Sequence, residues 1–192
     1  MSKRPKIATH DSATGEKPKN MLSWLSTPFS KTQSKTIKEQ YNAGCRSFDI
    51  RVKESKDCWY CAHGIFKTQR TADNIMEELN AFEERVQVCI TYEGKGTNNE
   101  AFLAKVHEWK SRLTNIIYGG IAVKYGDGSN LTKVTYSYLE KSEQGYEGGN
   151  QGFIPLDGSS WHIYLPIPWL WDRIYKRPHS FNENNFTFVD FL

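Results

Sequence analysis

The chain of 192 residues reads as an α/β protein with a parallel sheet, open or closed into a single small, distorted or incomplete barrel. Three observations predict this. Short apolar, β-branched segments alternate with stretches of helical period, the pattern of parallel strands joined by crossover helices. Several of the predicted strands end in an ionisable residue, as strands do at the mouth of such a barrel. The length suits one domain, residues 1–192, with one sizeable core, yet lies below the usual size of this barrel, so shortened or missing helices are expected. A composition of 38% hydrophobic and 24% charged residues excludes a disordered chain. No run of 18 uncharged apolar residues exists, which excludes a transmembrane helix.

Taken in order, residues 6–9 form a short strand, and residues 32–42 are helix-compatible with Gly44 as the residue after the helix end. Residues 45–52 and 58–62 are strands. Residues 71–85 place Ile75, Met76, Leu79 and Phe82 on one helical face, capped by Thr71 or Asp73. Residues 86–92 are a β-branched strand. Residues 99–113 form a second amphipathic helix through Phe102, Leu103, Val106 and Trp109. Residues 121–125 are a strand, and residues 126–160, rich in Gly, Ser and Tyr, assign no element. Residues 161–165 are strand-compatible, and residues 185–192 close the chain as an apolar strand.

The ionisable residues at these strand ends are His10, Arg51, His63, Glu93, Lys124 and Asp190. Charges commonly follow strands, because strands end at the surface. Here the set includes two of only five histidines with an arginine and carboxylates, which suits chemistry on a phosphate ester. The formal net charge of +3 is too small to argue for nucleic acid. Residues 1–38 nevertheless carry eight Lys/Arg against two acids, which fits either an anionic partner or a solvated lysine face. Cys58 and Cys61 form a CxxC with His63 nearby, but Cys45 and Cys89 stand singly, so a four-ligand zinc site is not completed. The thiols read as small apolar fillers of a buried strand.

Thr9-His10-Asp11-Ser12, the stretch Thr32-Gln33, Gln40, Gly44 and Phe48-Asp49-Ile50-Arg51, then His63-Gly64 and Phe188-Val189-Asp190-Phe191 together resemble a known family. It is the phosphatidylinositol-specific phospholipase C family, in its X-type catalytic domain, and the likeness is greatest to the bacterial metal-independent enzymes. It covers residues 5–66 strongly, residues 86–95 and the C-terminus moderately, and residues 126–180 essentially not at all. The resemblance implies a TIM-type barrel that cleaves phosphatidylinositol, or a glycosyl-phosphatidylinositol, to diacylglycerol and a cyclic inositol 1,2-phosphate, which makes it a phosphorus-oxygen lyase and phosphodiesterase. It implies that His10 is the general base, oriented by Asp190, that His63 is the general acid, paired with Asp11, and that Arg51 holds the phosphate oxygens. A base and an acid near pKa 7 and a fixed cation are what an in-line displacement at phosphorus needs.

The eukaryotic relatives bind calcium with carboxylates and an asparagine in this region. Arg51 is a permanent cation at one of those positions, so no cofactor is expected, with calcium as the alternative because Glu93 matches the calcium enzymes. Glu93 is expected to pair with Arg51, or Lys95 to stand in for the bacterial lysine. Glu93, Lys95, Lys124, Asp127 and Arg173 are the substrate-binding candidates, the last three by position only. Trp24, in the loop after the first strand, sits where the bacterial family carries a rim tryptophan; Lys17, Lys19 and Lys31 would add attraction to a lipid surface. Residues 165–171 are Pro-broken and apolar, suited to the core or to the interface. The expected partners are a phospholipid substrate and a peripheral membrane surface, with no nucleic acid and a monomeric state. The N-terminus shows no apolar h-region, which leaves a cytoplasmic protein, or a secreted one if this is a mature form. A different class of reading is an inactive barrel that binds phosphoinositide or membrane. A metal-dependent phosphodiesterase of the glycerophosphodiester or sphingomyelinase D type needs a carboxylate pair on the second strand, which Asp49 and Arg51 fit poorly.

Overall fold

The computed structural model describes residues 7–56, 58–94, 99–123, 146–147, 186–189 and 192. The first strand, β1 (Ile7–Thr9), is followed by a 3-10 turn (Ser12–Gly15) and two helices, α1 (Met21–Ser30) and α2 (Ile37–Asn42). Strands β2 (Cys45–Ser55), β3 (Cys58–His63) and β4 (Phe66–Thr71) lead into α3 (Ala72–Asn80). Then come β5 (Val86–Tyr92), α4 (Asn99–Arg112), β6 (Ile116–Val123), β7 (Tyr146–Glu147) and β8 (Phe186–Val189).

The molecule is mixed α/β. Six strands run parallel in the order β6-β5-β2-β1-β8-β7. Among the described residues no ladder joins β6 to β7, so the sheet stays open there and the closed barrel is not reached. The strand β2 outruns its parallel partners and continues with β3 and β4 as an antiparallel extension. The expectation of uniformly parallel strands is corrected there: β3 is a hairpin return, with Val52 opposite Cys61 and Ser55 opposite Cys58.

Both faces of the central strands are buried, so their residues divide by period two. Phe48, Ile50 and Val52 of β2 and Val86, Val88, Ile90 and Tyr92 of β5 pack with Ile75, Met76 and Leu79 of α3 and Phe102, Val106 and Trp109 of α4. Burying each such side chain contributes roughly 1.5–3 kcal/mol. The other face of the same strands carries Ser47, Asp49 and Arg51 beside Cys89 and Thr91. Leu103 is exposed, so it is not part of the α4 stripe, and Phe82 lies past the end of α3, stacked on Tyr41 at 4.0 Å.

Local chemistry explains the boundaries. Thr36 and Glu39 form a capping box that starts α2 at Ile37, later than the helical period alone suggests. Residues 32 and 33 are withheld from that helix because their side chains bond the backbone of the His10 segment. Gly44 takes φ +102 after α2, and Thr71 caps α3. The strand β6 starts at Ile116, five residues earlier than its apolar core suggests, because it pairs along the whole of β5 from Val86. The Trp24 segment is a helix rather than a loop: Asn20 caps α1 by accepting from the Ser23 amide, and Pro28 within it masked the pattern. Of the two thiols expected as small buried fillers, Cys61 is buried and Cys58 is exposed; Cys45 and Cys89 are buried too, and all four are free thiols. The strand proposed at residues 161–165 and the apolar run at 165–171 lie outside the described residues.

Candidate active site

The turn after β1 is built to display two side chains. Asp11 adopts a left-handed backbone, φ 44 and ψ 48, which aspartate tolerates better than most residues. The chain reverses sharply there into the 3-10 turn. Ser12 Oγ donates to the Thr9 carbonyl at 2.8 Å and accepts from the Asp49 amide at 2.9 Å, which locks the turn to β2. The His10 carbonyl accepts from Thr32 Oγ1 at 2.9 Å and from Gln33 Nε2 at 3.1 Å. Gln40 Nε2 donates to the Ser12 carbonyl at 2.7 Å. These buried polar residues hold the backbone on which His10 and Asp11 stand.

Around them converge Arg51 from β2, His63 from the end of β3 and Glu93 just after β5. Arg51 is the hub. Its Nη2 lies 2.7 Å from His10 Nε2, its Nε contacts Asp11 and lies 3.2 Å from Asp49 Oδ2, and its Nη1 lies 3.3 Å from Glu93 Oε1. One guanidinium thus faces three carboxylates, each at most 2% exposed. A guanidinium only donates, so His10 Nε2 accepts and the His10 ring proton sits on Nδ1. His63 Nδ1 lies 2.8 Å from the Ser30 carbonyl, the last residue of α1, so Nδ1 donates and Nε2 is the nitrogen turned to other work. Asp11 Oδ2 lies 3.5 Å from His10 Nε2 and 3.3 Å from His63 Nδ1, so one carboxylate oxygen stands between the two histidines.

The structure therefore brings together five sequence-predicted residues: His10, Asp11, Arg51, His63 and Glu93. The route differs from the expected convergence of parallel strand ends. Arg51 lies within β2, not at its end, and His63 returns to the level of Arg51 because β3 folds back on β2. Asp49 and Ser30 also belong to the cluster; the motif reading includes Asp49 in Phe48-Asp49-Ile50-Arg51 but gives it no site role, and it does not include Ser30. Asp49 was accessible to it, since residues 49 and 51 share one face of a strand; Ser30 contributes only backbone, which no side-chain pattern signals. Asp190, Lys95, Lys124, Asp127 and Arg173 lie outside the described residues. The ladder of β8 on β1 extends to Val189 opposite Thr9. Leu192 N donates to Gln33 Oε1 at 3.3 Å, and Gln33 in turn holds the His10 carbonyl.

His10, Asp11 and Asp49 bring three ligand-type atoms within 4.8 Å of one another. The Arg51 guanidinium already lies on the Asp11 and Asp49 oxygens, so the donor set as arranged does not fit a dication. Asp49 Oδ1 is buried with no hydrogen-bond partner among the described residues.

Beside this cluster, α1 is an inverted amphipathic helix. Its serines Ser23 and Ser30 are buried, while Met21, Leu22, Trp24, Leu25 and Phe29 are exposed, Trp24 to 63%. Ser23 Oγ accepts from the Lys67 amide at 3.2 Å, which fastens the helix to β4. Contiguous exposed apolar side chains of this kind mark an interaction surface. Among the described residues no helix is long and apolar enough to cross a membrane.

Among solved structures, the chain is similar to a point mutant of the phosphatidylinositol-specific phospholipase C from Staphylococcus aureus. That likeness has a TM-score of 0.56 at 12% identity, over 98% of this chain and 86% of that one. A second variant of the S. aureus enzyme gives a TM-score of 0.53 at 13% identity, over 100% and 89%. The phosphatidylinositol-specific phospholipase C from Listeria monocytogenes is 18% identical over 65% of this chain, with a TM-score of 0.47, and this chain spans 52% of its length. No family model and no curated protein matches the chain. The likeness is one of fold.

Proposed function

We propose that the chain is a phosphodiesterase of the phosphatidylinositol-specific phospholipase C type, cleaving phosphatidylinositol or a glycosyl-phosphatidylinositol without a metal ion. The observation that carries this reading is the single buried cluster in which Asp11 lies within 3.5 Å of both histidines and Arg51 touches His10. In the resting site Arg51 caps the His10 lone pair. An arriving phosphodiester draws the guanidinium onto its oxygens, which frees His10 Nε2 to take the proton of the neighbouring 2-hydroxyl. The hydroxyl oxygen attacks phosphorus, the ring of the cyclic 1,2-phosphate forms, and the bond to the diacylglycerol oxygen breaks. His63, held at Nδ1 by the Ser30 carbonyl and Asp11, delivers its Nε2 proton to that oxygen. Asp49 Oδ1, which has no hydrogen-bond partner among the described residues, is an acceptor for a substrate hydroxyl. Asp190 is assigned to His10 Nδ1, and Lys95, Lys124, Asp127 and Arg173 to the polar groups of the substrate, by resemblance and position. The exposed apolar side of α1, with Lys17, Lys19 and Lys31 near it in sequence, is the surface that meets the phospholipid layer.

The test is phosphorus NMR of the products formed from phosphatidylinositol, with and without excess EDTA. A cyclic 1,2-phosphate that forms equally in both supports the reading. Activity lost in EDTA and restored by calcium overturns the metal-independent part. Folded His10→Ala and His63→Ala proteins should each lose about 10²–10⁴-fold in turnover, and near-wild-type rates from either overturn the two-histidine assignment. An inactive protein that still binds phosphoinositide vesicles replaces the enzyme reading with the binding one.

A further inference from the structure

We propose that Glu93 is a positioning residue, whose two carboxylate oxygens tie the Arg51 cation to the turn that carries His63. The inference rests on the phosphodiester reading above. Glu93 is 2% exposed, and its backbone is fixed by the bond from its amide to the Val52 carbonyl at 2.7 Å, which carries the β2–β5 pairing past the end of β5. From there the side chain divides its oxygens. Oε1 lies 3.3 Å from Arg51 Nη1, and Oε2 accepts from the Gly64 amide at 3.4 Å. Gly64 is the residue after His63 and has φ +61, a backbone state that suits glycine. A buried carboxylate carries a large desolvation cost, so its retention calls for donors on both oxygens. Here those donors come from the two halves of the site, the cation that takes the phosphate and the turn that aims the acid. Asp11 and Asp49 both lie against Nε of Arg51, whereas Glu93 draws on Nη1. Without it the guanidinium is pulled one way and the turn loses its tether. Glu93 thus acts through Arg51 and His63 rather than by touching substrate, which revises the substrate-binding role expected for it.

The experiment is a double-mutant cycle of Glu93→Gln with Arg51→Ala, read as kcat and KM on a short-chain phosphatidylinositol kept monomeric in solution. In the wild-type background the isosteric Glu93→Gln change should lower kcat by roughly 10- to 100-fold, the scale of a misplaced reacting group, with KM moving less. In the Arg51→Ala background the same change should lower kcat by a clearly smaller factor, because only the tether to the Gly64 turn is left for it to break. Equal losses in both backgrounds, or no loss in the first, overturn the proposal; a carboxylate with a merely structural role lowers the thermal midpoint without this dependence on Arg51. Should Glu93→Gln fail to fold, Glu93→Asp carries the same cycle, keeping the charge and shortening the reach by one methylene. The two readings fail separately. A wild-type protein without turnover, or one indifferent to His10→Ala and His63→Ala, removes the phosphodiester reading and this inference with it. Turnover that needs both histidines alongside an additive cycle removes the inference alone.

Discussion

Replacing Arg51 by lysine keeps the positive charge and removes the planar fork, which separates two contributions that the cluster combines. Arg51 reaches His10 at 2.7 Å, Asp49 at 3.2 Å and Glu93 at 3.3 Å through three different nitrogens, and touches Asp11 as well. A single ammonium cannot span that set, so Arg51→Lys retains at best the Asp11–Asp49 side and loses His10 and Glu93. Charge-assisted hydrogen bonds contribute about 1.5–3 kcal/mol each, so losing the Glu93 contact and one of the fork's two bonds to the phosphate amounts to at least about 3 kcal/mol. Felt in the transition state, that is a fall in kcat of about 10²-fold. Arg51→Ala goes further and leaves three buried carboxylates without their cation, which should cost about 3–5 kcal/mol of folding stability out of a total of roughly 5–15 kcal/mol. Urea unfolding reads the stabilities, and initial rates on phosphatidylinositol read kcat. A lysine variant with wild-type kcat, or an alanine variant within about 1 kcal/mol of wild type at pH 7, would refute the hub assignment.

Two further expectations rest on the geometry, and the one for Asp190 rests on the resemblance. Trp24→Ala should weaken binding to phospholipid vesicles while sparing hydrolysis of a monomeric short-chain substrate, because Trp24 lies on the exposed side of α1; equal losses on both substrates would remove it from the interface. Asp190→Asn should keep the fold and lower turnover strongly, since a neutral amide supports a histidine cation poorly; unchanged turnover would remove Asp190 from the site. A thiol reagent under native conditions should label Cys58 and spare Cys45, Cys61 and Cys89. Burial pushes the Cys45 thiol from 9.0 up to about 11, so its contribution to stability is full below pH 9 and is lost as pH rises through 11. Labelling of more than one thiol per folded chain would contradict the buried placements.

Much of this molecule is legible in the sequence, and the legible part is local. The strand β5 matches its β-branched run at both ends, and the stripe of Ile75, Met76 and Leu79 locates α3, because periodicity reports which side chains face the core. His10, Asp11, Arg51 and His63 are likewise visible as residue types in order. What the sequence leaves open depends on partners distant in the chain. Nothing local says that β3 folds back along β2, yet only that return brings His63 to the level of Arg51. The serine-in, tryptophan-out orientation of α1 is set by Ser23 bonding β4 and by the Ser30 carbonyl bonding His63, against the usual rule that a helix buries its apolar side. Glu93 could be read from sequence as a calcium ligand, a partner of Arg51 or a substrate contact. The parallel pairing of β5 with β2 brings it against Arg51, by setting Thr91 beside Arg51 and Glu93 two residues beyond on the same face. Propensity and period act over a few residues, whereas the charge environment of a buried group is a sum over everything the fold packs around it, and only the tertiary structure carries out that sum.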